Sequence, residues 1–178
     1  MKKYELTSEF VTNDFGKKLF RIKALVSFGN VKEGQLGGFI EKEDNLSHDG
    51  NAWVTGDALV ADNARVTGNA LVTDNARVTD NARVTGDARV TGDARVTGDA
   101  DYAVVKGFGR YFRATTFFRC VDKILRVQCG CFYGDLTQFR EIVKKTHGDS
   151  KYAKEYLAIA DLMELHFSDA EAKQEVSE

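Results

Sequence analysis

A six-residue unit recurs eight times between Asn51 and Gly98, in the order Asn or Asp, Ala, a variable residue, Val, Thr or Ala, and Gly or Asp. Alanine holds every sixth position from 52 to 94, and valine every sixth from 54 to 96. A helix needs apolar residues every three to four positions, and a turn pair at each sixth would break it. An antiparallel meander needs strands longer than the hexad allows. Stacking satisfies the pattern. Each hexad becomes a short strand and a corner, three hexads close a triangular coil, and successive coils pair as parallel strands about 4.8 Å apart. Alternation then points Ala and Val inward and the residues between them outward. Gly, Asn and Asp make the corners because they tolerate positive φ, and the chain has no proline to share that work.

Three hexads per coil place vertical neighbours eighteen residues apart. Trp53 then stacks with Leu71 and Arg89, Leu59 with Arg77 and Arg95, and Arg65 with Arg83. The early coils thus present an apolar patch at Trp53 and Leu71, suited to a partner or subunit, and the later coils a basic face at Arg77, Arg89 and Arg95. Asp62 and Asp80 stack at one corner, where like charges require an arginine, a cation or water between them. Eight hexads make fewer than three coils, so the stub needs caps or partners at its exposed ends. Upstream, GGFIEKEDNLSHDG keeps Ile40 and Leu46 in six-residue register with Ala52, as in a coil of looser sequence.

The flanks read differently. LFRIKALV alternates as a strand after the turn VTNDFGKK, so residues 1–50 form a small β cap and the first loose coil. The repeats occupy 51–104. Residues 105–167 read as an α+β cap of two strands and two helices: ATTFFRC and ILRVQCGC pair around Val121–Lys123, Asp135 and Gln138 open one helix, and Ser150 caps the second. Residues 168–178 read as a flexible acidic tail. The fold class is therefore mainly β, a short parallel β-helix with caps at both ends.

Charge and chemistry narrow the function. The net charge of -2 gives no global pull toward nucleic acid, and there is no secretory signal or apolar run long enough to span a bilayer. A cytoplasmic protein is expected. From Lys106 to His147, however, nine Lys or Arg face three Asp or Glu. There KGFGRYFR opens like an RNA-recognition signature, but Arg110 and Arg113 stand where base-stacking aromatics belong. Lys106, Arg110, Tyr111 and Arg113 instead suit a phosphate-bearing ligand or an acidic protein face. Cys120, Cys129, Cys131 and His147 supply four zinc-type donors without the usual two-residue knuckle spacing, so zinc stays an open alternative to reduced thiols. No histidine lies within the hexads; His48 just ahead of them is the one candidate for a general base. No cofactor motif is present.

The hexads, with Val84 and Ala88 showing the aliphatic residue followed four positions later by a small one, resemble the left-handed hexapeptide-repeat β-helix. The whole chain resembles a group of uncharacterised hexapeptide-repeat proteins of bacteriophages and prophages, carried by FGNVKEGQLGGFIEKEDNLSHDGNAWV and GCFYGDLTQFREIVKKTHGDSKYAKEY. The resemblance implies left-handed winding, packing as a homo-oligomer (trimers being common among such proteins), residence in the host-cell cytoplasm, and an accessory role against host machinery, host defence included. It supplies no catalytic residues. The expected function is non-enzymatic capture of a host protein or small anionic ligand. The alternatives are an acyltransferase with His48 at a subunit cleft and a polymer-forming scaffold.

Overall fold

The computed structural model describes the backbone of residues 1–172 and the side chains of residues 1–168. Two compact units, Met1–Asp99 and Ala100–Glu178, divide the chain.

The first unit opens with the antiparallel hairpin β1 (Tyr4–Thr12) and β2 (Lys18–Ala24), followed by β3 (Leu36–Ile40). Each hexad then adds one two-residue strand. These are β4 (Trp53–Val54), β5 (Leu59–Val60), β6 (Arg65–Val66), β7 (Leu71–Val72), β8 (Arg77–Val78), β9 (Arg83–Val84), β10 (Arg89–Val90) and β11 (Arg95–Val96). Parallel pairing joins residues eighteen apart, as a three-hexad coil requires: Trp53 with Leu71, Leu71 with Arg89, Leu59 with Arg77, Arg77 with Arg95, and Arg65 with Arg83. A β-solenoid of about three turns results, with one face continued by the N-terminal strands in the order β1-β2-β3-β5-β8-β11.

Every hexad alanine and valine is fully buried. Each valine so placed contributes about 1.5–3 kcal/mol from removal of apolar surface from water, an upper estimate because real unfolded chains already bury some of it. The positive φ falls on the sixth position of the hexad: Gly56, Asp62, Gly68, Asp74, Asp80, Gly86 and Gly92 lie between 56° and 69°. Where Asp rather than Gly takes that conformation, the carboxylate can reach the next coil. Asp62 Oδ2 accepts the Asp80 N–H at 3.3 Å, and Asp74 Oδ2 accepts the Gly92 N–H at 3.1 Å. Position one carries side-chain ladders. Asn51 donates to Asn69 at 3.1 Å, Asn69 to Asp87 at 3.0 Å, and Asn75 to Asp93 at 3.2 Å.

Two expectations about this unit change. The looser upstream coil exists, but Ile40 pairs with Val60, and Leu46 bridges to Val66, so both occupy the valine column rather than the alanine column. The spacing there is twenty residues. The excess lies at the corner holding His48, because Ser47 and Asn51 donate to the Val66 and Gly68 carbonyls, which sit only two residues apart. Trp53 does point away from the solenoid interior, yet it is only 2% exposed. Tyr4 and Phe28 meet its ring edge-on at centroid distances of 6.4 and 5.5 Å. Gly37 permits the close approach, since a Cβ there would lie 2.7 Å from Trp53 Cζ2 and 2.6 Å from the Val54 carbonyl oxygen.

The second unit is an antiparallel sheet of β12 (Tyr102–Val105), β13 (Thr115–Arg119), β14 (Leu125–Cys129) and β15 (Phe132–Asp135), in that order. It therefore has four strands where two are expected. The added last strand arises because Gly130, at φ 61°, turns the chain after Cys129, and Cys129 pairs with Phe132 across that turn. Cys129 and Cys131 consequently do not share a strand. Helix α1 (Leu136–His147) starts at the expected capping box. Gln138 N–H donates to Asp135 Oδ1 at 2.8 Å, and Asp135 N–H to Gln138 Oε1 at 3.0 Å. Helix α2 spans Lys151–Ala172, with Ser150 Oγ accepting the Ala153 N–H at 3.3 Å. Phe139 and Val143 of α1 pack with Tyr156, Ile159, Ala160, Met163 and Phe167 of α2 against Phe117 and Val127 of the sheet. Of the stretch expected as a tail, residues 168–172 continue α2, and 173–178 lie outside the described residues. Among the described residues, no helix is long and apolar enough to cross a membrane.

Candidate ligand cavity

The sequence candidates separate by location. Arg77 and Arg95 stack on the β5-β8-β11 face, and Arg89 stands on the β4-β7-β10 face, so the three do not form one basic surface. Arg77 is occupied by Asp14 of the β1–β2 turn at 3.0 Å. With Trp53 covered, half-buried Leu71 remains of the apolar patch. At the Asp62 and Asp80 corner the compensating charge is Lys17, which ion-pairs with Asp62 and lies 3.8 Å from Glu41. That hydrogen bond holds the Asp62 carboxyl below the usual carboxylate range and raises Lys17 above the usual lysine value.

His48 is a capping residue in the N-terminal packing. Its ring stacks on Tyr4 at 4.4 Å, its Nδ1 accepts the Lys3 N–H at 3.2 Å, and its Nε2 lies 3.9 Å from Glu43. Beside it, the Lys3 ammonium donates to the Ala52 carbonyl at 2.9 Å and the Gly50 carbonyl at 3.3 Å. Burial pushes Lys3 down to about 8, against a smaller raising effect of Asp49.

In the second unit several candidates converge. A cavity of about 210 Å³ is lined by Arg110, Tyr111 and Arg113 from the loop after β12, by Cys129 to Phe132 at the β14–β15 turn, and by side chains of both helices. Lys106 is exposed and is not among its lining residues. Tyr111 is 62% exposed, with the Arg113 guanidinium 4.9 Å and the Arg110 guanidinium 5.6 Å from its ring centroid. Neither arginine forms an ion pair with a carboxylate among the described residues, unlike Arg21, Arg77, Arg126 and Arg140. Both guanidiniums thus approach one exposed ring at the rim of the cavity, where an anion would find two cationic donors.

Glycines shape the cavity. A Cβ at Gly130 would meet Arg113 Nη1 at 2.8 Å, and a Cβ at Gly109 would collide with the Tyr156 hydroxyl. Gly109 N–H also donates to Glu155 at 2.8 Å, tying the arginine loop to α2. Cys131, Thr146 and His147 also line the cavity. Thr115 Oγ1 donates to Cys129 Sγ at 3.2 Å, and Cys129 lies beside the Tyr156 phenol. Burial, then the neighbouring Cys129, pushes the Tyr156 phenol up to about 12.

The four zinc-type donors do not assemble. Cys129, Cys131 and His147 line this cavity, whereas buried Cys120 lies 3.9 Å from the Tyr133 hydroxyl instead. Among the described residues, no group of three or more His, Cys, Asp or Glu side chains is placed to hold a metal ion. The His147 ring stacks on Tyr156 at 5.8 Å. Sequence reasoning named the arginines but missed the walls. Phe132 and Phe139 are ordinary apolar residues until the fold gathers them.

Neither a protein-family model nor a curated protein matches the chain.

Proposed function

We propose that the protein is a non-enzymatic binding protein of the phage accessory kind, which captures a small anionic ligand in the C-terminal cavity and so deprives the host of it. The observation that carries this reading is a pair of guanidiniums, unmatched by carboxylate, facing an apolar cavity. Both arginines are exposed and solvated in the free protein, and an incoming anion gains charge-assisted hydrogen bonds to their guanidiniums. The phage context rests on the terminal segments FGNVKEGQLGGFIEKEDNLSHDGNAWV and GCFYGDLTQFREIVKKTHGDSKYAKEY.

Titration calorimetry with small carboxylates and phosphates, each beside a neutral analogue, tests the reading. Binding of the anions is expected, falling at least tenfold in R110A/R113A and weakening with salt. Equal affinity for the neutral analogues would remove its basis. The host-directed part has its own readout. Expression of the protein is expected to restore plaque formation by a restricted phage, and the double variant is not.

A further inference from the structure

We infer that the cavity selects an aromatic anion, a single planar ring carrying one acidic group, with the ring in the apolar interior and the acid between Arg110 and Arg113. This rests on the anion-binding reading above and specifies what accompanies the charge. Volume is the first argument. A dry, sealed cavity of about 150 Å³ accommodates benzene; this cleft of about 210 Å³ is open to solvent on one side, so a ring fits against its walls with a small substituent at the mouth. Inorganic phosphate would satisfy the guanidiniums but leave the apolar walls facing water.

The walls say what the body must be. Phe139 meets Phe132 at 5.5 Å and 46°, and Tyr156 at 5.8 Å and 83°, while His147 lies nearly parallel to Tyr156. These are the tilted, edge-to-face and offset arrangements that aromatic rings favour, so a further ring extends an existing cluster. An aliphatic chain would gain burial without that geometry. Cys129 already bonds to Thr115 within the wall, and the other polar side chains that line the cavity beside the arginines and the two tyrosines, namely Cys131, Thr146 and His147, share it with Phe132, Phe139, Ile142 and Val143. A hydroxylated or sugar-like body would lose hydrogen bonds to water and regain few.

Charge sits at one side only. Arg113 lies over the β14–β15 turn in the space a Cβ at Gly130 would occupy, and Arg110 approaches the same tyrosine ring. The ligand therefore has one acidic end and one apolar end.

Calorimetry with three probes separates the possibilities. Phenyl phosphate is expected to bind at least tenfold more tightly than methyl phosphate and more tightly than benzyl alcohol. R113M is expected to lower phenyl phosphate affinity at least tenfold and leave benzyl alcohol little changed. I142W, placed on a half-exposed wall residue so that the core stays intact, is expected to abolish binding of phenyl phosphate while the circular-dichroism spectrum remains native. If methyl phosphate binds as well as phenyl phosphate, the ring requirement is overturned and the anion reading stands. If benzyl alcohol matches phenyl phosphate, or neither phosphate binds, both fail.

Discussion

The solenoid and the C-terminal unit handle polar groups in opposite ways. In the solenoid a side chain finds its partner one coil away: Asn51 on Asn69, Asn75 on Asp93, Asp74 on the Gly92 N–H. Where stacking would set Asp62 against Asp80, a lysine from the N-terminal hairpin completes the corner. The C-terminal unit instead leaves Arg110 and Arg113 without carboxylates, beside a space its own side chains do not fill. The repeats close their Asn and Asp ladders from coil to coil, while charges such as Asp62 and Arg77 take partners from the N-terminal hairpin. What distinguishes the C-terminal pair is its place beside an apolar cavity, since Arg65 and Arg95 of the solenoid also lack a carboxylate among the ion pairs of the described residues.

The largest expected effect breaks the solenoid itself. Val78 is fully buried in a column of valines, and Val78→Asp leaves a carboxylate with no partner there, a cost of several kcal/mol. Loss of the cooperative thermal transition of the first unit by circular dichroism is expected. Arg65→Ser, on the exposed side of the same array, should alter stability by no more than about 0.5 kcal/mol. Comparable destabilisation by the two would contradict the inside and outside assignment.

A finer cut isolates the contact between coils. Gly68 and Gly86 occupy one corner column with φ of 69° and 67°, so alanine strains both equally, by about 1 kcal/mol. Only at Gly68 does a Cβ also meet the neighbouring coil, 3.0 Å from the Gly86 nitrogen and 3.2 Å from its carbonyl oxygen; at Gly86 nothing lies within 4 Å. Gly68→Ala is expected to cost about 1–2 kcal/mol more than Gly86→Ala in urea unfolding, since overpacking adds to strain. Equal losses would mean that the coils yield.

The same contrast explains what could be read from the chain. Periodicity records the solenoid completely, because each hexad states its own strand, corner, inside and outside. The exceptions are single events with no period. The extra residues at the His48 corner shift Ile40 and Leu46 by one column, and Gly130 turns a continuous-looking strand into a hairpin. Trp53 was legible as outward, but its cover comes from Tyr4 and Phe28, more than twenty residues away in sequence. The cavity is less legible still. Residues from 110 to 156 line it, and only the arginines, through local charge excess, leave a trace in the sequence.

The smallest effects concern two lysines of the first unit whose pH responses have opposite signs. Lys17 is raised and Asp62 lowered by their mutual hydrogen bond. The contribution of that pair is present above the ordinary carboxylate pKa of about 3.9 and below the ordinary lysine pKa of about 10.4. It is lost as pH falls through the depressed Asp62 value or rises through the elevated Lys17 value. Lys17→Met should therefore show a flat stability deficit from about pH 5 to 9 that closes at both extremes. Lys3, pushed down to about 8 by burial, works the other way. Between about pH 8 and 10 the unfolded chain holds the Lys3 proton more firmly than the folded one, so stability rises with pH across that interval. Urea unfolding over the pH series should show this rising limb in the unmodified protein and lose it in Lys3→Met. A limb that survives the substitution would assign the titration to another group, whereas a Lys17→Met deficit that drifts across the neutral range would show that the corner charge is not held by Asp62.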